Sequence, residues 1–109
     1  MNFNEYQEEA AKTAIYPNQG SNIYYPTLLL AAEAGEIANK VQKIMRDKND
    51  VVHVEDHQAL LGEMGDVLWA LAAMSTELGY DLSEVAQYNI EKLRGRAARG
   101  TIMGSGDNR

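Results

Sequence analysis

Residues 56–79 read DHQALLGEMGDVLWALAAMSTELG, and the spacing within this stretch decides the fold. Leu60, Val67, Leu71, Met74 and Leu78 recur at helical intervals and form one face at about 100° per residue. Glu63 and Asp66 fall on that same face, with Gly65 between them. The opposite side carries Leu61, Leu68, Trp69 and Ala72. A helix that is apolar all round has to be buried all round. Gly79 then stands where a left-handed helix end is wanted.

Residues 26–47 repeat the pattern. Glu33-Ala-Gly-Glu36 sets two carboxylates one turn apart, on the face shared by Leu29, Leu30, Ile37, Val41 and Ile44. Asn39, Gln42 and Arg46 point away. Acids that merely solvate a protein belong on the outer face. Four carboxylates turned inward repel one another by ~1–4 kcal/mol per pair at about 4 Å, and each also loses hydration. A divalent cation removes both penalties, so Glu33, Glu36, Glu63 and Asp66 are expected to converge on a metal site between two helices. Gly35 and Gly65 recur opposite the acids, where a missing side chain lets another helix approach closely.

The remaining punctuation defines four helical stretches. Asn4 with Gln7 resembles a capping box opening a helix of about residues 4–15. Residues 16–22 are turn-rich. Pro26 suits the first position of a second helix to Asp47. A third runs from about Asp56 to Leu78, and Asp81 with Glu84 caps a fourth, ending at Arg99 and Gly100. No strand is needed. The expectation is an all-α bundle of four to five helices over residues 1–100, completed by oligomerisation because so few helices cannot surround the third one. Residues 101–109 form a glycine-rich tail, read as a lid over bound ligand, with plain disorder as the alternative.

Composition narrows the function. The chain has 109 residues, no cysteine and a formal charge of −6. That leaves no thiolate chemistry, and it argues against coating a nucleic-acid polymer. Acids interrupt every apolar run before it could span a membrane, and the N-terminus lacks a signal-peptide pattern, so a cytoplasmic protein is expected. Five of the ten basic residues (Lys92, Arg94, Arg96, Arg99 and Arg109) lie in the last 18 positions, beside one acid, Asp107. An acidic middle and a basic end suit an anionic substrate held through a cation and a few arginines.

All-oxygen ligation favours Mg²⁺, with Mn²⁺ as substitute, over zinc or copper. Di-iron bundles need Glu-x-x-His, and neither His53 nor His57 lies three residues after a glutamate. His53-Val-Glu-Asp-His57 is not the zinc-protease pattern either. Both histidines are read as solvent-facing. No phosphate loop, nucleophilic serine or dinucleotide fingerprint is present, so hydrolysis of a phosphate compound by a metal-positioned water is the economical chemistry.

Glu-x-x-Glu, then Glu-x-x-Asp, then Asn89, Lys92 and Arg96 within about 60° on the fourth helix resemble the MazG-like all-α nucleoside triphosphate pyrophosphohydrolases. Tyr6-Gln7-Glu8-Glu9-Ala10 upstream and Arg99-Gly-Thr-Ile…Gly-Ser-Gly-Asp107 downstream are similar to the small stand-alone phage and bacterial branch. The resemblance implies cleavage of a (d)NTP between its α- and β-phosphates, giving (d)NMP and pyrophosphate, in nucleotide-pool control. It implies that Glu33, Glu36, Glu63 and Asp66 hold Mg²⁺, and that one of Glu33 and Glu36 orients or deprotonates the attacking water. Asn89, Lys92, Arg96 and, from the tail, Arg109 would bind phosphate or sugar. Tyr6 and Gln7, with the loop at 16–25, would frame the base. Trp69 is read as core or interface, and Lys40 as an intrahelical partner of Glu36. A homodimer or homotetramer is expected. Phosphoribosyl-ATP pyrophosphohydrolase is the nearest alternative in the same chemistry. A non-catalytic helical module binding nucleotide or protein is the alternative from another class.

Overall fold

The computed structural model describes residues 1–109 and contains four α-helices: α1 Phe3–Ala11, α2 Tyr24–Asp47, α3 Val54–Leu78 and α4 Leu82–Arg99. No strand is present. The long pair α2 and α3 forms an antiparallel hairpin, tied by Lys40 to Glu63 at 3.4 Å and by Lys48 to Asp56 at 2.7 Å. Their connection turns through Asn49 and Asp50, both left-handed (φ 50° and 65°). These are the residue types that tolerate that region, because a short polar side chain bonds locally. The Asp56 carboxylate also accepts the His53 N–H at 2.9 Å, closing the first turn of α3.

The helix ends show which local signals the chain uses. Asn2, not Asn4, caps α1, its side chain accepting the Glu5 N–H at 2.8 Å. The helix stops at Ala11, short of the expected residue 15. The chain tightens into i→i−3 bonds at Thr13 and Ala14, and the Thr13 hydroxyl bonds back to the Ala10 carbonyl. Asn22 Oδ1 takes the Tyr25 N–H at 3.1 Å at the head of α2. That helix begins two residues before Pro26, which sits fully buried in its first turn. Gly79 (φ 80°) and Gly100 (φ 69°) end α3 and α4 in the left-handed conformation expected of them.

The start of α4 departs from expectation. Asp81 makes no side-chain capping bond. The orphan donors of this turn are taken from α1 instead: Gln7 Oε1 accepts the Leu82 N–H at 2.7 Å, and Asn4 Oδ1 accepts the Ser83 N–H at 3.2 Å. Gln7 Nε2 meanwhile donates to Thr76 Oγ1 and the Tyr80 carbonyl, both at 3.0 Å. The pair read from sequence as a cap for α1 therefore caps α4.

The core is thin. Ala10, Ala72 and Leu82 are buried where α1 crosses α3 and α4, with Tyr6, Leu68 and Trp69 packed against them. Leu61, Met64, Leu78, Tyr80 and Tyr88 remain more than half exposed. The accessible surface is 7890 Å², against about 6000 Å² for a compact chain of this mass. The radius of gyration is 16.8 Å, where about 13 Å is usual. α4 rests on α1 and α3 only and does not touch α2, leaving an apolar groove of about 600 Å³ between α3 and α4.

Candidate active site

The hairpin brings three of the four acids together. Glu33 on α2 faces Glu63 and Asp66 on α3, with one carboxylate oxygen from each lying within 4.8 Å of the other two. Partial burial, then the charges of Asp66, Glu63 and Glu36, push the Glu33 carboxyl above its ordinary range. An octahedral Mg²⁺ at 2.0–2.1 Å spaces its ligand oxygens by about 2.9 Å (adjacent) to 4.1 Å (opposite). The trio therefore fits a hard cation after its oxygens close by up to about 2 Å per pair, a shift shared between two flexible side chains and within rotamer freedom. The donor set is all oxygen, and the mutual repulsion of the acids is what a cation would relieve.

Glu36 is exposed and stands outside the trio, one turn further along α2. Its charge still reaches Glu33. Lys40 pairs across the hairpin with Glu63, not along its own helix with Glu36. An antiparallel partner at the same level outcompetes an intrahelical one, and the sequence spacing alone carried no sign of it. Gly35 and Gly65 are both open: a Cβ added at either would meet nothing within 4 Å. No helix of the same chain uses the close approach they permit.

Beside the acids lies an open hollow of about 490 Å³, walled by Thr13, Ile15, Tyr16, Pro17, Tyr25, Leu29, Trp69 and Asp66. Tyr16 and Tyr25 stack face to face, centroids 4.7 Å apart and planes 5° from parallel. Glu77 on α3 fastens this wall, accepting the Tyr16 hydroxyl and the backbone N–H groups of Gly20 (2.9 Å) and Asn22 (3.2 Å). These bonds hold the Glu77 carboxyl below its usual range. Burial and the same carboxylate push the Tyr16 phenol up to about 12. Trp69 packs against the core and donates its indole N–H to Thr13 Oγ1 at 2.8 Å, while one edge lines the hollow.

Tyr6 and Gln7 have partners within the bundle. Tyr6 is packed into the core, its phenol raised first by burial and then by the Asp66 charge. All three polar contacts of Gln7 go to α3, to the turn after it and to α4. The hollow's aromatic wall comes from Tyr16 and Tyr25, within the 16–25 segment expected to frame the base, and from Trp69 on α3.

The basic end is ordered. Residues 101–109 fold back on α4, and the Arg109 guanidinium bonds the carbonyls of Thr101, Gly106 and Ile102. Arg99 and Thr101 bond the Arg109 carbonyl in return. Arg109 thus pins the tail to itself and to the end of α4. Arg96, only 6% exposed, donates to the Asp107 carbonyl at 3.0 Å. Lys92 is half-buried and Asn89 exposed on the same helix. His53 and His57 are both exposed.

A lysine-tied acidic trio on a helical hairpin, an aromatic hollow at its edge and a basic terminal helix form a coherent set. The sequence pattern of the MazG nucleotide pyrophosphohydrolase domain matches residues 25–100. The chain belongs to that family. It is 47% identical to the Gene 37 protein of Mycobacterium phage L5, over the full length of both chains. It is 35% identical to the uncharacterized protein YvdC of Bacillus subtilis (strain 168), across 74% of this chain and 84% of that one. No solved structure matches. No helix is long and apolar enough to cross a membrane.

Proposed function

We propose that the chain is a Mg²⁺-dependent nucleotide pyrophosphohydrolase that cleaves a (d)NTP between the α- and β-phosphates, releasing (d)NMP and pyrophosphate. The observation that carries this is the convergence of Glu33, Glu63 and Asp66 within 4.8 Å on a hairpin of a MazG-family chain. These three would hold the metal, with Mn²⁺ as substitute. Bound there, Mg²⁺ would supply water of lowered pKa and neutralise charge on the leaving phosphate. Glu36, one turn from Glu33 and free of the trio, is the carboxylate placed to orient the attacking water and take its proton.

Asn89, Lys92 and Arg96 bind phosphate oxygens and sugar, Arg96 through the planar fork that matches a phosphate. The nucleobase enters the hollow next to Asp66 and stacks on Tyr25 and the exposed edge of Trp69. Aromatic stacking of this kind contributes about 1–3 kcal/mol per base. Arg109 orders the tail that closes the phosphate end.

The assembly is a homodimer or homotetramer. The accessible surface exceeds that of a compact chain by about 1900 Å², more than the roughly 800 Å² each partner gives to a standard interface and in the range each gives to a large obligate one. A second copy seated in the groove between α3 and α4 buries Leu71, Leu78, Tyr80 and Tyr88. It also uses the open space at Gly35 and Gly65, and it brings a basic α4 towards α2, the arm of the acid hairpin that its own α4 does not touch.

The test is incubation with each NTP and dNTP plus Mg²⁺, with products separated by ion exchange. Monophosphate and pyrophosphate in equal amounts are expected. Orthophosphate with a diphosphate, or no turnover, defeats the proposal. Glu63→Gln is expected to abolish turnover and retain helicity.

A further inference from the structure

The two cations assigned to phosphate already hold an anion. Lys92 Nζ and Arg96 Nη2 lie 3.5 and 3.4 Å from the same oxygen, Oδ1 of Asp107, in a tail that otherwise offers them only carbonyls. Their charges, with the hydrogen bonds they donate, hold the Asp107 carboxyl below its usual range. The arrangement is incomplete from the arginine's side: Arg96 is buried, yet its Nε has no hydrogen-bond partner. It is loose from the aspartate's side, because the Asp107 side chain is 86% exposed.

We propose that Asp107 is an internal stand-in for a substrate phosphate, capping Lys92 and Arg96 until an incoming phosphoryl anion displaces it. The proposal rests on the reading of those two residues as phosphate ligands. Like charges one turn apart on a helix repel, and a carboxylate between them quiets that repulsion while the site is empty. A phosphoryl group carries more charge and three acceptor oxygens, so it replaces a monodentate, solvent-exposed carboxylate.

The tail survives the exchange. Arg96 also bonds the Gly106 and Asp107 carbonyls. Arg109 independently ties Thr101, Ile102 and Gly106. Gly104 and Gly106, left-handed at φ 116° and 89°, give the backbone around Asp107 a conformation that side-chain-bearing residues rarely adopt. The displaced carboxylate thus swings on an anchored loop.

The experiment titrates inorganic pyrophosphate calorimetrically into the full-length chain with Mg²⁺ present, comparing wild type, Asp107→Asn and Asp107→Glu. Removal of the competing charge is expected to tighten pyrophosphate binding by about three- to tenfold, as when a binding-competent state rises from a minority to the whole population. Asp107→Glu restores wild-type affinity. Where the wild type turns over a nucleotide, KM falls in the same ratio for Asp107→Asn, and the gain appears in KM rather than kcat. Unchanged or weakened pyrophosphate binding in Asp107→Asn overturns the proposal. A lowered melting temperature at unchanged affinity does so too, assigning Asp107 a purely structural tie. Absence of nucleotide turnover by wild type would defeat the function proposed above, while the pyrophosphate comparison still reads the stand-in.

Discussion

Gln7→Ala separates two roles for one residue, a tie between helices and a frame for the base. Its side chain makes three hydrogen bonds across three elements: acceptor to the Leu82 N–H at 2.7 Å, donor to Thr76 Oγ1 and to the Tyr80 carbonyl at 3.0 Å each. Two of these are exposed, worth about 0.5 kcal/mol apiece, at the low end for protein hydrogen bonds. The third closes the half-buried first turn of α4, where loss of a cap costs about 1 kcal/mol. The sum is about 2 kcal/mol. For a chain of roughly this size each kcal/mol moves the midpoint by ~4–8 °C, so alanine should lower Tm by about 8–16 °C.

The assay is circular dichroism at 222 nm on heating, at one fixed protein concentration because assembly contributes to apparent stability. Gln7→Glu keeps an acceptor for Leu82 and loses both donors, so it should melt between alanine and wild type. Nucleotide KM measured well below both midpoints should stay near wild type. A shift under about 2 °C, together with a raised KM, would refute the structural reasoning and return Gln7 to the base.

Other perturbations have comparably direct readouts. Glu36→Gln is expected to lower kcat by about 10²–10³-fold, in the range of one general base, while Mg²⁺ affinity by calorimetry stays close to wild type. Because burial and its acidic neighbours raise the Glu33 carboxyl, the folded chain holds that proton more tightly than the unfolded one, and the metal-free protein loses stability as pH rises through the raised value. Glu33→Gln should accordingly melt above wild type at neutral pH without metal, and the gap should close on acidification. The Tyr16 phenol, pushed up to about 12, should be the late step in an absorbance titration at 295 nm. That step should vanish in Tyr16→Phe, and the fold should lose stability between the ordinary tyrosine pKa and that value. Leu71→Asp, in the groove between α3 and α4, should shift sedimentation from dimer or tetramer to monomer. A wild type that sediments as monomer at millimolar concentration would refute the assembly.

The helices were legible because their signals are local and repeated. The 3.6-residue period in α2 and α3, and the glycines that close α3 and α4, act within a turn or two of themselves. The spacing of the two acid pairs was legible for the same reason, but which of the four acids gather was not: Glu33, Glu63 and Asp66 come together, and Glu36 is exposed outside them. Hydrogen bonds between distant residues were not legible either. Asn4 and Gln7 have the spacing of a capping box, but their acceptors serve α4 at separations of 79 and 75 residues. No window of sequence contains both partners. Glu77 is the clearest omission. It looks like one more surface acid near a helix end, yet it fastens the Tyr16 loop through three donors. The only sequence trace was a turn-rich segment whose backbone donors needed an acceptor. Convergence of three acids instead of four likewise depends on how α2 and α3 seat against each other, which periodicity does not specify.

The two charged regions of the chain are built alike. Acids gather on the α2–α3 hairpin and bases on α4, which within one chain touches the hairpin through α3 alone and makes no contact with α2. Left bare, each cluster would repel itself. Each instead carries one residue of opposite sign: Lys40 lies 3.4 Å from Glu63, and Asp107 lies within 3.5 Å of Lys92 and Arg96. Both contacts are exposed on one side, and exposed ion pairs contribute only ~0–1 kcal/mol, so both yield to a stronger ligand. A divalent cation would outbid the ammonium on the acids, and a polyphosphate would outbid the carboxylate on the bases. A metal–polyphosphate complex, such as Mg²⁺ with a nucleotide, would present both charges at once. Neutralising one stand-in should therefore sharpen the response to its own half of the ligand alone: Lys40→Met the response to Mg²⁺, Asp107→Asn the response to pyrophosphate.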